Sequence, residues 1–169
     1  GQGEPFMREH IAEVMAEEGI VAHPDDVVVT CGSQQALDLV TRTFCDPGDV
    51  ILAEAPSYVG AIGTFRAYQV QIVQVAMDEF GIVPQALREA VAACRAAGKR
   101  VKFLYTIPNF QNPTGVTQTL PRRRELIALA HELDLLIVED NPYGLLTIEG
   151  EPLPALRSMD DERVIYLGS

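Results

Sequence analysis

The chain has 169 residues, of which 47% are hydrophobic and 22% charged, a composition typical of one globular domain with a hydrophobic core. Asp and Glu number 24 against 13 Lys and Arg, and the resulting net charge of −11 disfavours binding to nucleic acid or to an anionic membrane surface. The sequence has no apolar run long enough to cross a bilayer and no basic-then-apolar leader, so we expect a cytoplasmic protein.

Three cysteines, Cys31, Cys45 and Cys94, are far apart in the sequence and lie inside apolar segments. An odd number at such spacing predicts buried free thiols in a reducing compartment. The three histidines are scattered and have no partner at the spacing of metal ligands. We therefore expect the histidines at the surface or at helix ends, and we predict no metal site.

Short β-branched runs alternate along the chain with longer amphipathic segments, a pattern typical of an α/β layer fold. In chain order, we predict a helix at 5–18, a strand at 27–31, a helix at 34–45, a strand at 50–54, a helix at 59–67, a strand at 71–75, a helix at 84–97, a strand at 101–106, a helix at 121–133, and strands at 135–139 and 164–167. Pro84 and Pro121 favour two of the helix starts, because proline fits the first turn of a helix. The absence of repeats and interior linkers indicates one domain over residues 1–169.

Polar or Gly- and Pro-rich clusters follow five of the six predicted strands directly. The clusters are Gly32-Ser33-Gln34, Pro56-Ser57-Tyr58, Asn109-Phe110-Gln111-Asn112-Pro113-Thr114-Gly115, Asp140-Asn141-Pro142-Tyr143 and Gly168-Ser169. In open α/β sheets the ligand crevice lies outside the carboxyl ends of the strands. We therefore expect the five clusters to converge on one site.

Each cluster also has an ordinary structural interpretation. Ser33 is as suitable for a helix N-cap as for a phosphate site at the start of a helix. Tyr58 suits half-buried packing, and the segments that begin at Asn112 and Asp140 are both typical of turns. The position of all five clusters at strand ends favours a common ligand over unrelated turns.

In order and spacing, the clusters resemble the cofactor-binding domain of the class I/II, fold-type I, pyridoxal 5′-phosphate (PLP)-dependent aminotransferases, and the resemblance covers the whole chain. Its most specific signal is Asn112-Pro113-Thr114-Gly115. Segments 1–8 and 109–115 are similar to the branch that contains 2-aminoadipate, kynurenine and valine–pyruvate aminotransferases. The resemblance implies a three-layer α/β/α fold with a mostly parallel sheet, in which the strands run third, second, fourth, fifth, sixth, seventh, first. The strand at 27–31 is then expected about 9.5 Å, or two strand spacings, from the strand at 164–167.

The resemblance also implies that PLP is the cofactor, and it gives roles to individual residues. Ser33, Gln34 and Ser169 match residues that bind the phosphate group. Tyr58 matches the aromatic residue that stacks on the pyridine ring. We therefore expect these four residues to bind the cofactor.

Three further residues match groups that hold the cofactor ring. Asn112 and Tyr143 match donors of hydrogen bonds to the phenolic oxygen, and Asp140 matches the carboxylate that pairs with the pyridine nitrogen. Because the protonated ring withdraws electrons from the substrate, Asp140 and Tyr143 are the expected catalytic residues. The resemblance also implies cis peptide bonds before Pro56 and Pro113.

In this family a lysine binds the cofactor covalently, and the resemblance places it three positions after Ser169. We therefore expect the 169 residues to be a truncated large domain that is inactive by itself, with residues 1–19 forming an interdomain helix in the complete protein. Lys99 and Lys102 are the only lysines. Both lie at the amino end of the strand at 101–106, so we expect them opposite the crevice.

For a complete protein, the resemblance implies a homodimer that catalyses transamination between an amino acid and a 2-oxo acid. Two alternatives stay open at this point: the aminotransferase-like sensor domain of a winged-helix transcriptional regulator, and a PLP-dependent lyase or synthase of the same fold. The amino-acid substrate is not identified, because the family's arginine for the substrate carboxylate lies in another domain.

Overall fold

A computed structural model describes residues 1–146 and 151–169. Within these residues the helices are α1 (Pro5–Ala16), α2 (Gly32–Phe44), α3 (Val59–Ala67), α4 (Pro84–Ala96), α5 (Leu120–Glu132) and α6 (Leu156–Met159). The strands are β1 (Val50–Ala55), β2 (Gln71–Asp78), β3 (Gly81–Ile82), β4 (Val101–Thr106), β5 (Leu136–Asn141) and β6 (Val164–Gly168). A short 3₁₀ helix, Pro24–Asp26, lies between α1 and α2.

The strands form one mostly parallel sheet in the order β3-β2-β1-β4-β5-β6. Neighbours are parallel except for β2 and β3, a short antiparallel pair in which Met77 faces Ile82. The order β2-β1-β4-β5-β6 is the one implied by the resemblance, so the predicted topology is confirmed for these five strands. β3 is too short to give a periodic signal in the sequence.

Side chains alternate between the two faces of the sheet and form two hydrophobic clusters. On one face, Leu52 and Leu104 pack in a cluster with residues of α4, α5 and α6. On the other face, Phe103 and Tyr105 pack with residues of α2 and α3, and Phe65 meets both rings edge-on at centroid distances of 6.0 and 5.4 Å. The predicted three-layer α/β/α fold is therefore confirmed.

Helices α2 to α5 each bury residues of one face, as their sequence pattern predicts, whereas α1 has no buried residue. In α4, Leu87, Val91 and Cys94 are buried at a spacing of three to four residues, which places them on one side of the helix. Pro84 is in its first turn, where the missing amide hydrogen is not needed. α5 begins after Thr119, whose side chain caps the helix by accepting a hydrogen bond from the Arg122 amide.

The prediction of a strand at 27–31 is wrong. Residues 27–30 have no regular secondary structure and pair with no strand in the described part of the chain. The Val29 amide donates instead to the Gln2 carbonyl, at 2.8 Å. A valine-rich run becomes a strand only where a neighbouring strand offers a ladder of hydrogen bonds. In the described residues β6, at the edge of the sheet, pairs only with β5, so residues 27–30 have no strand beside them.

The prediction of buried thiols is confirmed only for Cys94. Cys31 is exposed because it ends the 27–31 segment, which lies outside the sheet, and Cys45 is half-buried. Burial and the nearby Asp49 carboxylate raise the pKa of the Cys45 thiol to about 11. All three thiols are free.

His10, His23 and His131 are exposed, as predicted. Across residues 1–146 and 151–169, no cluster of His, Cys, Asp and Glu side chains could hold a metal ion. Within the same ranges, no helix combines the length and the apolar character needed to cross a membrane.

Candidate active site

The carboxyl ends of β1, β4, β5 and β6 lie at one edge of the sheet, because these strands are parallel. Four of the seven predicted site residues follow these strands: Tyr58, Asn112, Tyr143 and Ser169. Asp140 differs from the prediction, because β5 continues to Asn141. Asp140 therefore lies inside a strand, in register with Leu167 of β6, and its side-chain position is fixed by the sheet.

Ser33 and Gln34 lie in the first turn of α2, and they do not follow a strand directly. The Cys31 side chain does not cap this helix, and the Gln35 side chain accepts a hydrogen bond only from the Cys31 amide, so the amide groups of the first turn stay available to an anion. Ser33 is half-buried, whereas Gln34 lies in an open groove of about 650 Å³ between α2 and α3 and donates a hydrogen bond to the Thr64 hydroxyl. This geometry suits a phosphate group.

Tyr58 is the residue before α3, and the Ala55–Pro56 bond that leads to it is cis, as the resemblance implies. Its ring is half-buried against the cluster that contains Tyr105. A Cβ atom added to Gly60 would lie 2.5 Å from the Tyr58 ring. Glycine at this position therefore leaves the space that the ring occupies.

Asn112 and Tyr143 line one open pocket of about 530 Å³, together with Phe110 and Leu146. The Asn112–Pro113 bond is cis, again as implied by the resemblance. The structure thus brings these two predicted residues together. The seven residues do not line a single pocket, because Gln34 belongs to the groove between α2 and α3. Ser169 is exposed after β6.

Asp140 is buried, with 3% of its surface exposed, and its two oxygens have different surroundings. Oδ2 accepts a 2.7 Å hydrogen bond from the Tyr105 hydroxyl. Oδ1 is also buried but accepts no hydrogen bond from any described residue. Burial raises the pKa of the Asp140 carboxyl, and the Tyr105 hydrogen bond only partly opposes this shift.

Tyr105 was not predicted as a site residue, because nothing in the local sequence separates it from the other apolar positions of β4. Its hydroxyl is completely buried beside Asp140. Burial and the Asp140 carboxylate raise the pKa of the Tyr105 hydroxyl far above its ordinary range, so the group remains a hydrogen-bond donor. Sequence reasoning had no signal for this contact, since the two residues are 35 positions apart.

Glu54 is a second residue that sequence reasoning missed, although an acid within the apolar strand β1 was a usable signal. The side chain is fully buried. Its carboxylate accepts hydrogen bonds from the Ile107 amide, at 2.9 Å, and from the Thr106 hydroxyl, at 3.0 Å. Burial raises the pKa of Glu54 to about 7 in spite of these bonds.

Asn141, next to Asp140, belongs to a buried polar group that reaches the end of α1. Its side-chain oxygen accepts a 2.8 Å hydrogen bond from Asn109, and its amide nitrogen donates to Glu18. Tyr166 of β6 also donates to Glu18, and Arg123 donates to Asn109 at 2.6 Å. These contacts tie the residues after α1 to the strand that carries Asp140.

Glu139 precedes Asp140 but lies on the opposite face of the sheet. Its carboxylate accepts hydrogen bonds from the Leu156 and Arg157 amides, at 2.8 and 3.0 Å, and so caps the first turn of α6. Burial raises the pKa of Glu139 to about 7. This acid holds a helix in place and lies away from the Tyr105–Asp140 pair.

Lys99 and Lys102 lie at the amino edge of the sheet, as predicted. Lys99 donates to Gln71, the first residue of β2. The Lys102 ammonium is 3.6 Å from the carboxylate of Asp49, which immediately precedes β1. Both lysines are therefore at the opposite edge from Tyr58, Asn112 and Tyr143.

The chain matches the family described as Aminotransferase class I and II over residues 1–169. The chain belongs to the class I and II aminotransferase family. It is 46% identical over 165 residues to aromatic-amino-acid aminotransferase 1 of Thermococcus litoralis, which covers 96% of this chain and 40% of that protein.

Solved structures of the family have the same fold. Kynurenine aminotransferase of Pyrococcus horikoshii superimposes with a TM-score of 0.91 and 42% identity, covering 99% of this chain and 42% of that one. An alpha-aminoadipate aminotransferase of Thermus thermophilus superimposes with a TM-score of 0.88 and 40% identity, with the same coverage. The chain thus spans about two-fifths of the length of these aminotransferases.

The family is PLP-dependent, and the residues at the carboxyl edge fit this cofactor. The Pyrococcus enzyme was solved with PMP, and the Thermus enzyme with N-(5′-phosphopyridoxyl)-L-leucine. In this chain, the free Oδ1 atom of Asp140 matches a cationic N–H donor such as a pyridinium. Kynurenine and 2-aminoadipate aminotransferases belong to the predicted branch, and these relatives give no support to a transcriptional regulator or a lyase.

Proposed function

We propose that a complete protein carrying this chain catalyses PLP-dependent transamination between an amino acid and a 2-oxo acid. In this proposal, residues 1–169 belong to the PLP-binding large domain, and residues 1–19 form an interdomain helix. Family membership and the aminotransferase names of the relatives support the proposal.

The observation that carries the proposal is the buried, unpaired oxygen of Asp140. A carboxylate oxygen buried without a hydrogen-bond donor is unfavourable by about 1–3 kcal/mol or more. A cationic N–H bound at Oδ1 removes this penalty and lowers the pKa of Asp140, which keeps the proton on the bound nitrogen. The pyridine nitrogen of PLP is such a group, and bound PLP supplies an electron-withdrawing ring.

The other residues of the edge bind and orient the cofactor in this proposal. Asn112 and Tyr143 donate to the phenolic oxygen, and Tyr58 covers one face of the ring. Ser33, Gln34 and Ser169 contact the phosphate group, with the first-turn amides of α2 as further donors. In this arrangement, Asp140 would keep the proton on the pyridine nitrogen, and the other side chains would bind the cofactor.

The substrates and the assembly are further parts of the proposal. The relatives' names for aromatic amino acids, kynurenine and alpha-aminoadipate support an amino acid as the donor. Assembly as a homodimer and a cytoplasmic location are predictions from the family resemblance.

The test compares Asp140→Ala with wild type in the complete protein, by PLP titration and by steady-state transamination. We expect Asp140→Ala nearly to abolish transamination. The matched control is Asp49→Ala, because Asp49 is equally buried but lies at the amino edge, where it pairs with Arg100 at 2.7 Å. We expect this variant to lose stability and to keep PLP. Transamination by Asp140→Ala within about threefold of wild type, about 0.7 kcal/mol in the barrier, contradicts the proposal.

A further inference from the structure

Gln111 is a buried residue that none of the roles above uses. Only 1% of its surface is exposed, and its side chain contacts both the segment that leads to Tyr58 and the loop that carries Asn112. We propose that Gln111 is a positioning residue that fixes Tyr58 and Asn112 relative to each other. This inference rests on the proposed function and names a further residue of the same site.

The nitrogen of the Gln111 amide binds the Tyr58 side of the site. Nε2 donates to the Pro56 carbonyl at 2.8 Å and to the Glu54 carboxylate at 3.4 Å. Pro56 is two residues before Tyr58, at the cis bond where the chain leaves β1. The position of this turn decides where the Tyr58 ring lies.

The oxygen of the same amide binds the Asn112 side. Oε1 accepts hydrogen bonds from the Thr114 amide at 2.9 Å and from the Thr114 hydroxyl at 2.7 Å. An amide side chain has two N–H donors and an oxygen that accepts two bonds, so Gln111 uses its full capacity. A rotated amide would place donors against donors, so the network allows a single orientation.

Main-chain bonds hold the Asn112 loop locally but do not reach Tyr58. The main-chain N–H group of Gln111 donates a 2.9 Å hydrogen bond to the Val116 carbonyl, and this bond closes the loop at 111–116. Within the described residues, the direct hydrogen-bonded link between 56–60 and 112–116 is the Gln111 side chain. Loss of the Gln111 side chain therefore leaves 56–60 and 112–116 without a direct hydrogen bond between them in the described residues.

The first experiment measures hydrogen exchange in the complete protein without PLP. Gln111→Leu removes all four side-chain bonds at similar volume, and we expect faster exchange in both 56–60 and 112–116. Thr114→Val removes the two bonds of the hydroxyl, to Gln111 and from the Val116 amide, which both lie within 111–116, and we expect faster exchange in 112–116 alone. The matched control is Gln118→Leu, because Gln118 is also fully buried and is also connected to Glu54, through the Thr106 hydroxyl, but has no side-chain hydrogen bond to either segment.

The second experiment measures PLP binding and the visible absorbance of the bound cofactor. We expect Gln111→Leu to bind PLP about 5- to 30-fold more weakly, which corresponds to about 1–2 kcal/mol, and to shift the absorbance band. Gln118→Leu should match wild type in both readouts. If Gln111→Leu does not fold, Gln111→Asn keeps the amide but is one methylene too short to reach both segments.

Faster exchange confined to 112–116 in Gln111→Leu, or an affinity and spectrum equal to those of wild type, overturns the inference. The proposed function fails separately, if the wild-type protein shows no PLP binding. In that case the exchange data still decide whether Gln111 links the two segments.

Discussion

The Tyr105 hydroxyl on β4 donates a 2.7 Å hydrogen bond to the Asp140 carboxylate on β5. This bond leaves one oxygen of Asp140 satisfied and the other free, so the site is built for one further donor. Two adjacent strands thus hold the acid rigidly from both sides of its backbone. Substitutions at Tyr105, Gly60 and Glu54 test how this edge of the sheet is built.

Tyr105→Phe should destabilise the protein, because it leaves the buried Oδ2 atom of Asp140 without a donor. We expect a loss of about 1–3 kcal/mol in the free energy of unfolding and a weaker effect on transamination than that of Asp140→Ala. Tyr68→Phe is the matched control, since it removes a 2.7 Å bond from a tyrosine to Asp38 at a partly exposed position. Urea denaturation measures the free energy of unfolding of both variants. Equal losses in the two variants would show that burial of the bond is unimportant.

Gly60→Ala should displace the Tyr58 ring, because the added methyl group would lie 2.5 Å from it. Loss of the ring's stacking, worth about 0.5–1.5 kcal/mol, predicts PLP binding weakened by about 2- to 10-fold. Gly63→Ala is the control in the same helix, where nothing lies within 4 Å of the added methyl group. That variant should bind PLP normally and gain about 0.5–1 kcal/mol of helix stability. An unchanged PLP dissociation constant for Gly60→Ala contradicts the stacking role.

Glu54 should make stability depend on pH between about 5 and 8. Its pKa is raised by burial from 4.5 to about 7, so the folded state favours the protonated form. This stabilisation is complete below the unfolded pKa, and it is lost as the pH rises through the folded pKa, with a total on the order of 3 kcal/mol. Glu54→Gln stays neutral, so wild type should lose stability relative to this variant as the pH rises. Parallel stability curves from pH 5 to 8 would rule this out.

Neither Lys99 nor Lys102 should replace the cofactor-binding lysine. Both are held at the amino edge of the sheet by Gln71 and Asp49. After incubation of the 169-residue chain with PLP and reduction with borohydride, mass spectrometry should find no stoichiometric adduct on either lysine. A specific adduct on Lys99 or Lys102 would show that they reach the carboxyl edge.

Local sequence signals were sufficient for most of the fold, and they marked several candidate site residues. Asp140 interrupts an apolar run and Asn112 begins an Asn-Pro-Thr-Gly turn, so both stand out from their neighbours in the chain. The periodicity of apolar residues was sufficient for helices α2 to α5, because each of them buries residues of one face.

The parts that could not be predicted depend on partners far away in the chain. Tyr105 and Gln111 contact residues 35 and 55 positions away, and although the cluster at 109–115 was marked, nothing in it distinguished Gln111 from its neighbours. The strand expected at 27–31 failed for the same reason. Its valines satisfy the local rule for a strand, but a strand also needs a neighbour with which to pair.

The alternation of side chains along β5 gives Glu139 and Asp140 separate tasks, although they are consecutive acids. Glu139 anchors α6 beneath the sheet, whereas Asp140 meets Tyr105 on the other side. In a mutational scan of this strand, the two acids should therefore report different properties. Losses at Glu139 should appear as reduced yield of folded protein, and losses at Asp140 as normal yield without turnover, so that two neighbouring positions separate folding from chemistry.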